Sequence, residues 1–224
     1  MQSNNIAGVR SRLEEAARRV GRHPNAVKLV AVSKTHPAEA LREALENGIG
    51  VFGENKVQEA EAKIVEIGRD AAEWHLIGHL QSNKARKAVQ LFDVIQSVDS
   101  LELARRLERI CEEEGRGSLS IFVEVDLAGE ETKNGISEAE LPELITFLQG
   151  CSHLKFDGLM IVPPFFDDAE LARPFFRRLR EIRDEIIPGG ELSMGMSHDF
   201  EVAIEEGATL VRVGTAIFGQ RDYN

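Results

Sequence analysis

The stretch Val27-Lys28-Leu29-Val30-Ala31-Val32-Ser33-Lys34, followed by Thr35-His36-Pro37 and an amphipathic pattern over 37–47, states a grammar that the rest of the chain repeats. A short apolar run reads as a strand, and an apolar face recurring every three to four residues reads as a helix. Further strand candidates lie at 50–52, 74–77, 94–97, 119–125, 156–161, 191–194 and 209–213. Helical patterns occupy 55–68, 80–90, 100–114, 137–149, 168–186 and 198–206. Strands that alternate with helices pair in parallel, because each helix supplies the crossover that parallel neighbours need. Eight such strands within 224 residues predict a closed (β/α)8 barrel of the TIM type, not an open sheet. One more helical segment precedes the first strand, with Ile6, Val9, Leu13, Ala16, Ala17 and Val20 on its apolar positions. No long Pro/Gly/Ser linker and no sequence repeat divides the chain, so residues 1–224 are expected to form one domain.

Composition narrows the function classes. A hydrophobic content of 42% supports a sizeable core, and a net charge of −11 argues against nucleic acid as a main partner. No apolar run approaches the roughly 18 residues of a membrane span. The first segment lacks the continuous apolar stretch of a secretory signal. Two cysteines, Cys111 and Cys151, show no CxxC spacing, and reduced thiols in a cytoplasmic protein are expected. The spacing His75-x3-His79 would suit metal ligands on a helix, but Gly78 and a strand-to-loop setting break that geometry, so no metal is expected.

Chemistry in such barrels sits at the carboxyl ends of the strands. Lys34 stands at the first of them, sharing the face of Val30 and Val32 by alternation. Desolvation there would favour the neutral amine, which attacks a carbonyl; a lysine that merely reaches to water is the structural alternative. The last two strands lead into Ser193-Met194-Gly195-Met196-Ser197 and Gly214-Thr215. Glycine at Gly195 and Gly214 lets backbone approach an anion, and Met196, Ser197 and Thr215 bring amide or hydroxyl donors; ordinary capping is again the alternative. Barrel closure sets strand 209–213 beside strand 27–33, and strands seven to one span roughly 10 Å. A small aromatic aldehyde with a phosphate tail fits that span, and pyridoxal 5′-phosphate has this shape. Arg212 faces the same side as Gly214; it can only donate, so it suits an unprotonated pyridine nitrogen or, alternatively, an ion pair with Glu124 or Asp126. Asn55 and His75 also stand at strand ends, as do Gln81, Ser82 and Asn83; helix capping is the default role of Asn55.

Taken together, Ala31-Val32-Ser33-Lys34, Phe52-Gly53-Glu54-Asn55, Trp74-His75-Leu76-Ile77-Gly78, Leu80-Gln81-Ser82-Asn83-Lys84, Gly158-Leu159-Met160, Ser193-Met194-Gly195-Met196-Ser197 and Val211-Arg212-Val213-Gly214-Thr215-Ala216-Ile217-Phe218-Gly219 resemble the pyridoxal-phosphate homeostasis protein family, whose barrel is similar to that of alanine racemase. The resemblance covers nearly the whole chain. It implies a Schiff base on Lys34, Arg212 at the pyridine nitrogen, Ser197, Gly214 and Thr215 at the phosphate, and Asn55 near the ring. It also implies a role in vitamin B6 and amino-acid balance, with apo forms of pyridoxal-phosphate enzymes as candidate recipients. His79 departs from many relatives, which have a proline or another residue there.

A two-base racemase needs a proton acceptor on each face of the substrate adduct. Lys34 would serve one; in alanine racemase a tyrosine supplied through a second domain serves the other. The single tyrosine here is Tyr223, and no second domain is apparent. His75 or another polar group would have to take its place, so a carrier without catalytic turnover is the first expectation, and a monomer because no arm or second domain is apparent. A racemase or lyase using Lys34 as base is the alternative, and a Schiff-base aldolase a more distant one.

Overall fold

The computed structural model describes residues 2–129 and 134–219. Its strands are β1 (Lys28–Val32), β2 (Val51–Glu54), β3 (Glu73–Leu76), β4 (Val94–Val98), β5 (Leu119–Asp126), β6 (Ile136–Ser137), β7 (Leu154–Met160), β8 (Glu191–Ser193) and β9 (Leu210–Val213). Among the described residues, all of these except β6 pair in parallel around a closed ring, β1-β2-β3-β4-β5-β7-β8-β9 and back to β1. This is the eight-stranded barrel that the alternation of strand and helix predicts. The helices are α1 (Gln2–Arg19), α2 (Ala38–Glu46), α3 (Val57–Ile67), α4 (Ala85–Leu91), α5 (Leu101–Glu113), α6 (Leu141–Gln149), α7 (Arg173–Ile186), α8 (Phe200–Glu205) and α9 (Thr215–Phe218). No described helix is long and apolar enough to cross a membrane.

Alternation splits the apolar residues into two cores. Ala31, Phe52, Trp74, Leu76, Ile95, Ile121, Val123, Val211 and Val213 point outward and pack under the helices. Val30, Val94, Phe122, Met160 and Leu210 point inward and fill part of the barrel. The α1 helix completes the outer layer. Since α9 is a single turn, ended by Gly219 at φ +90°, the described residues after β9 supply no long helix over the seam between β9 and β1. The amphipathic α1 fills it, burying Ile6, Val9, Leu13, Ala16 and Ala17. Its Arg12 pairs with Glu201 at 2.8 Å and lies 4.7 Å over the Phe200 ring, and Asn5 Nδ2 donates to Ile217 O at 3.1 Å.

Two local expectations shift. The pattern at 137–149 predicts one helix, whereas Ile136–Ser137 pairs with β5 and α6 begins only at Leu141. The strand expected over 27–33 ends at Val32, so Lys34 stands two residues beyond it, in a turn.

Candidate functional site

The Lys34 turn is fixed from below by a buried ionic cluster. Ser33 Oγ donates to Glu54 Oε1 at 2.6 Å. Lys63, reaching from α3, donates at 2.7 Å to each of Ser33 O, Glu54 Oε1 and Glu59 Oε1. Glu59 in turn accepts from the backbone N–H of Thr35. Thr35 has φ +67°, the one non-glycine residue among those described with positive φ. A β-branched residue there is strained, so the bond to Glu59 offsets part of that strain. Glu54 is wholly buried, and its second oxygen has no partner. Burial pushes its pKa above the usual carboxylate value, with Lys63 and Ser33 acting against that shift.

On the neighbouring strand, Val213 lies opposite Ala31, which carries the loop after β9 alongside the Lys34 turn. A Cβ on Gly214 would stand 3.2 Å from Val32 O, and the His36 ring stacks on Phe218 with centroids 4.9 Å apart. Ser197 joins the last two loops: its Oγ accepts from the backbone N–H groups of Gly214 and Ala216, each at 3.3 Å. Gly195 has φ +90°, and a Cβ there would meet Ala203 Cβ at 2.5 Å and Phe200 Cα at 2.8 Å, so glycine is required. The Met196 N–H donates to Asp199 Oδ1 at 2.6 Å, and Thr215 is exposed. Burial raises the Asp199 pKa; the Met196 N–H and Arg212 oppose it.

Arg212 is buried on the inward face of β9. Its Nη1 donates to Ser193 Oγ at 2.7 Å and its Nη2 to Ile161 O at 2.8 Å, so both bonds go to neutral acceptors. The ion pair with Glu124 or Asp126, one of the two sequence readings, is not among the described contacts; Asp126 instead accepts from Ala128 and Gly129 N–H. Desolvation lowers the Arg212 pKa to about 10, which still leaves it charged at neutral pH. Glu124 feels Arg212 at longer range. Burial raises its carboxyl to about 7, with Arg212 and His79 pulling it down and Asp99 and Asp126 pushing it up.

The remaining candidates separate. Asn55 is half-buried in the bend before α3, whose N-cap is Lys56, so it does not cap the helix as its default role required. The loops after β2 and β3 touch there, because a Cβ on Gly78 would lie 2.4 Å from Asn55 O. His75 is 1% exposed inside the barrel, with both ring nitrogens engaged, by Glu73 at 2.8 Å and Gln96 at 2.6 Å. His79 turns elsewhere, to Asp99 at 2.9 Å. Gln81, Ser82 and Asn83 are exposed in a single tight turn. Tyr223 lies outside the described residues. Sequence reading missed Lys63, Gln96 and the depth of Ser193. Alternation would have set Gln96 inward beside Val94, whereas nothing local marks Lys63 among the other polar residues of α3.

A model of the alanine racemase N-terminal domain family matches residues 5–222. The pyridoxal phosphate homeostasis protein of Aquifex aeolicus is 42% identical over 223 residues, covering 97% of each chain. The chain belongs to this family. A solved relative, PipY of Synechococcus elongatus PCC7942 with PLP bound, is 41% identical, with a TM-score of 0.86 over 98% of this chain and 100% of that one. Alanine racemase from Corynebacterium glutamicum shares the fold, with a TM-score of 0.72 and 17% identity; this chain covers 61% of it. In this homeostasis-protein family member, Lys34, the glycine-bearing loops after β8 and β9, and the buried Arg212 all belong to the carboxyl end of one barrel.

Proposed function

We propose that this chain, as one barrel domain spanning 1–224, carries pyridoxal 5′-phosphate as a Schiff base on Lys34. The proposed role is intracellular vitamin B6 and amino-acid balance, without catalytic turnover, by a cytoplasmic monomer that passes the cofactor to apo-enzymes. One observation carries the reading: a pinned lysine turn lies beside the loop after β9, whose Gly214 and Ala216 N–H groups converge on a single oxygen, Ser197 Oγ of the loop after β8.

The residues present fit that cofactor. Converging amides, a hydroxyl, Gly195 where no Cβ fits and Gly214 where one would crowd Val32 suit the oxygens of a phosphate. When bound, pyridoxal phosphate supplies an aldehyde that condenses reversibly with amines and a ring that withdraws electrons through its nitrogen. Lys34 provides the amine. The remaining N–H groups of Arg212 can donate to a ring nitrogen but cannot accept from one, so they favour its unprotonated form. That form is a weak electron sink, which argues for storage over carbanion chemistry. Asn55, Met196 and Thr215 are assigned to the rim of the cofactor site, and His75 acts on it from below. PipY, 41% identical and solved with PLP bound, supports the same reading.

The test is a visible spectrum of protein incubated with pyridoxal phosphate, for wild type and Lys34→Ala. Wild type should gain an absorption band that Lys34→Ala lacks, while both melt at the same temperature within about 2 °C. Overnight incubation with single amino-acid enantiomers, read by chiral chromatography, should show no Lys34-dependent turnover; robust turnover would replace the carrier with an enzyme.

A further inference from the structure

Interiors of parallel barrels are ordinarily filled by layers of branched apolar side chains. Here a line of polar groups runs through the interior beside Val30, Val94, Phe122, Met160 and Leu210. From Arg212 it passes to Ser193 Oγ at 2.7 Å, from Ser193 to Gln96 Oε1 at 2.6 Å, and from Gln96 Nε2 to His75 Nδ1 at 2.6 Å. His75 Nε2 then meets Glu73 Oε1 at 2.8 Å, and Lys28 Nζ reaches both Glu73 oxygens at 3.1 Å. His75, Gln96, Ser193 and Arg212 are all buried. Glu73 and Lys28 begin β3 and β1, at the opposite rim from Lys34. Glu73 lines a cavity of about 480 Å³ there, with Arg69, Asp70, Asp93 and Ser120.

Each link fixes the next. A guanidinium only donates, so Ser193 Oγ accepts and spends its own proton on Gln96 Oε1. That sets the amide with its nitrogen toward His75, whose Nδ1 must accept, leaving the ring proton on Nε2 to donate to Glu73. Glu73 also accepts from Lys28 Nζ at the barrel rim, so the line ends on an acceptor with a cation behind it. A doubly protonated His75 would confront Gln96 N–H with its own Nδ1–H. Turning the amide to relieve this would leave the Ser193 proton without its acceptor. A buried network of this kind adds little net stability over an apolar filling, which makes its presence a matter of specificity.

We propose that Ser193, Gln96, His75 and Glu73 are positioning residues. They hold His75 as the neutral Nε2–H tautomer and orient Arg212, so that the guanidinium keeps a fixed donor toward the ring nitrogen of the proposed cofactor. This inference rests on the pyridoxal-phosphate reading of the site, and the experiment separates the two. In the cofactor-free wild type, nitrogen-15 NMR of the histidine rings at pH 7 should show His75 neutral with its proton on Nε2. A proton on Nδ1, or on both nitrogens, overturns the proposal.

The second arm uses Gln96→Met, which keeps volume and breaks the line, and Ser193→Ala, should the first fail to fold. Each is first checked by thermal melting without cofactor. After loading with pyridoxal phosphate labelled at the ring nitrogen, wild type should show an unprotonated, hydrogen-bonded nitrogen. The variant should show a displaced nitrogen resonance and a dissociation constant raised about five- to tenfold, with borohydride still fixing cofactor to Lys34. An unchanged resonance and affinity in a folded variant overturn the positioning role. Failure of wild type to fix cofactor on Lys34 overturns the underlying reading instead.

Discussion

Lys63→Met deletes a cation that donates at 2.7 Å to three acceptors, Ser33 O, Glu54 Oε1 and Glu59 Oε1. The Lys63 side chain is 8% exposed and that of Glu54 0%, so water cannot replace the lost partner. Glu54 already has one oxygen without a hydrogen bond, and the variant leaves it buried with Ser33 alone. Removing one member of a buried pair costs about 3–5 kcal/mol. In a chain of this size each kcal/mol lowers the melting temperature by about 2–4 °C, which gives a fall of roughly 6–20 °C. Arg18→Ala is the control. It breaks the exposed i,i+4 pair with Glu14, whose side chains are 63% and 44% exposed, and should cost no more than about 1 kcal/mol. The double variant Glu54→Leu/Lys63→Met removes both charges and should recover most of the loss, since paired apolar replacements are often neutral. Melting followed by circular dichroism at pH 7 reads all of these. If Lys63→Met melts within 2 °C of Arg18→Ala, the cluster beneath the lysine turn does not hold it as argued.

Glu124 gives a pH signature. Its folded pKa is raised to about 7 from 4.5, chiefly by burial, so the folded state retains a proton that the unfolded chain releases. Its contribution is absent below about pH 4.5, grows unfavourable as pH rises to 7, and levels off near 3 kcal/mol. Glu124→Gln should therefore gain stability over wild type across that window in urea titrations at stepped pH; a difference that does not vary with pH would contradict the shift. Gly195→Ala puts a Cβ 2.5 Å from Ala203 Cβ at a φ of +90°. It should lower stability by about 2 kcal/mol or more and weaken pyridoxal-phosphate binding, read by melting and by fluorescence titration. Binding equal to wild type would remove the loop after β8 from the phosphate site.

The barrel was legible because alternation and crossover length are local properties of the chain. Val30 and Val32 alternate with Ala31, and each strand candidate before the last is followed by a helical pattern long enough to bring the chain back parallel. The limits were equally physical. Ile136–Ser137 pairs with β5, so a continuous helical pattern at 137–149 concealed a strand pairing. Arg212 showed its side of the sheet by period two, yet its partners Ser193 and Ile161 lie on or beside other strands. His75 read as a strand-end residue and Gln96 drew no notice; only barrel closure makes them successive members of one line. Lys63 resembled any polar residue of an amphipathic helix until β2 was placed beneath it.

The most direct measurement is mass spectrometry of the protein loaded with pyridoxal phosphate, reduced with borohydride and digested. One phosphopyridoxyl group per chain, on the peptide containing Lys34, is the predicted result. Attachment at another lysine, or none after saturating incubation, would contradict the account at its centre.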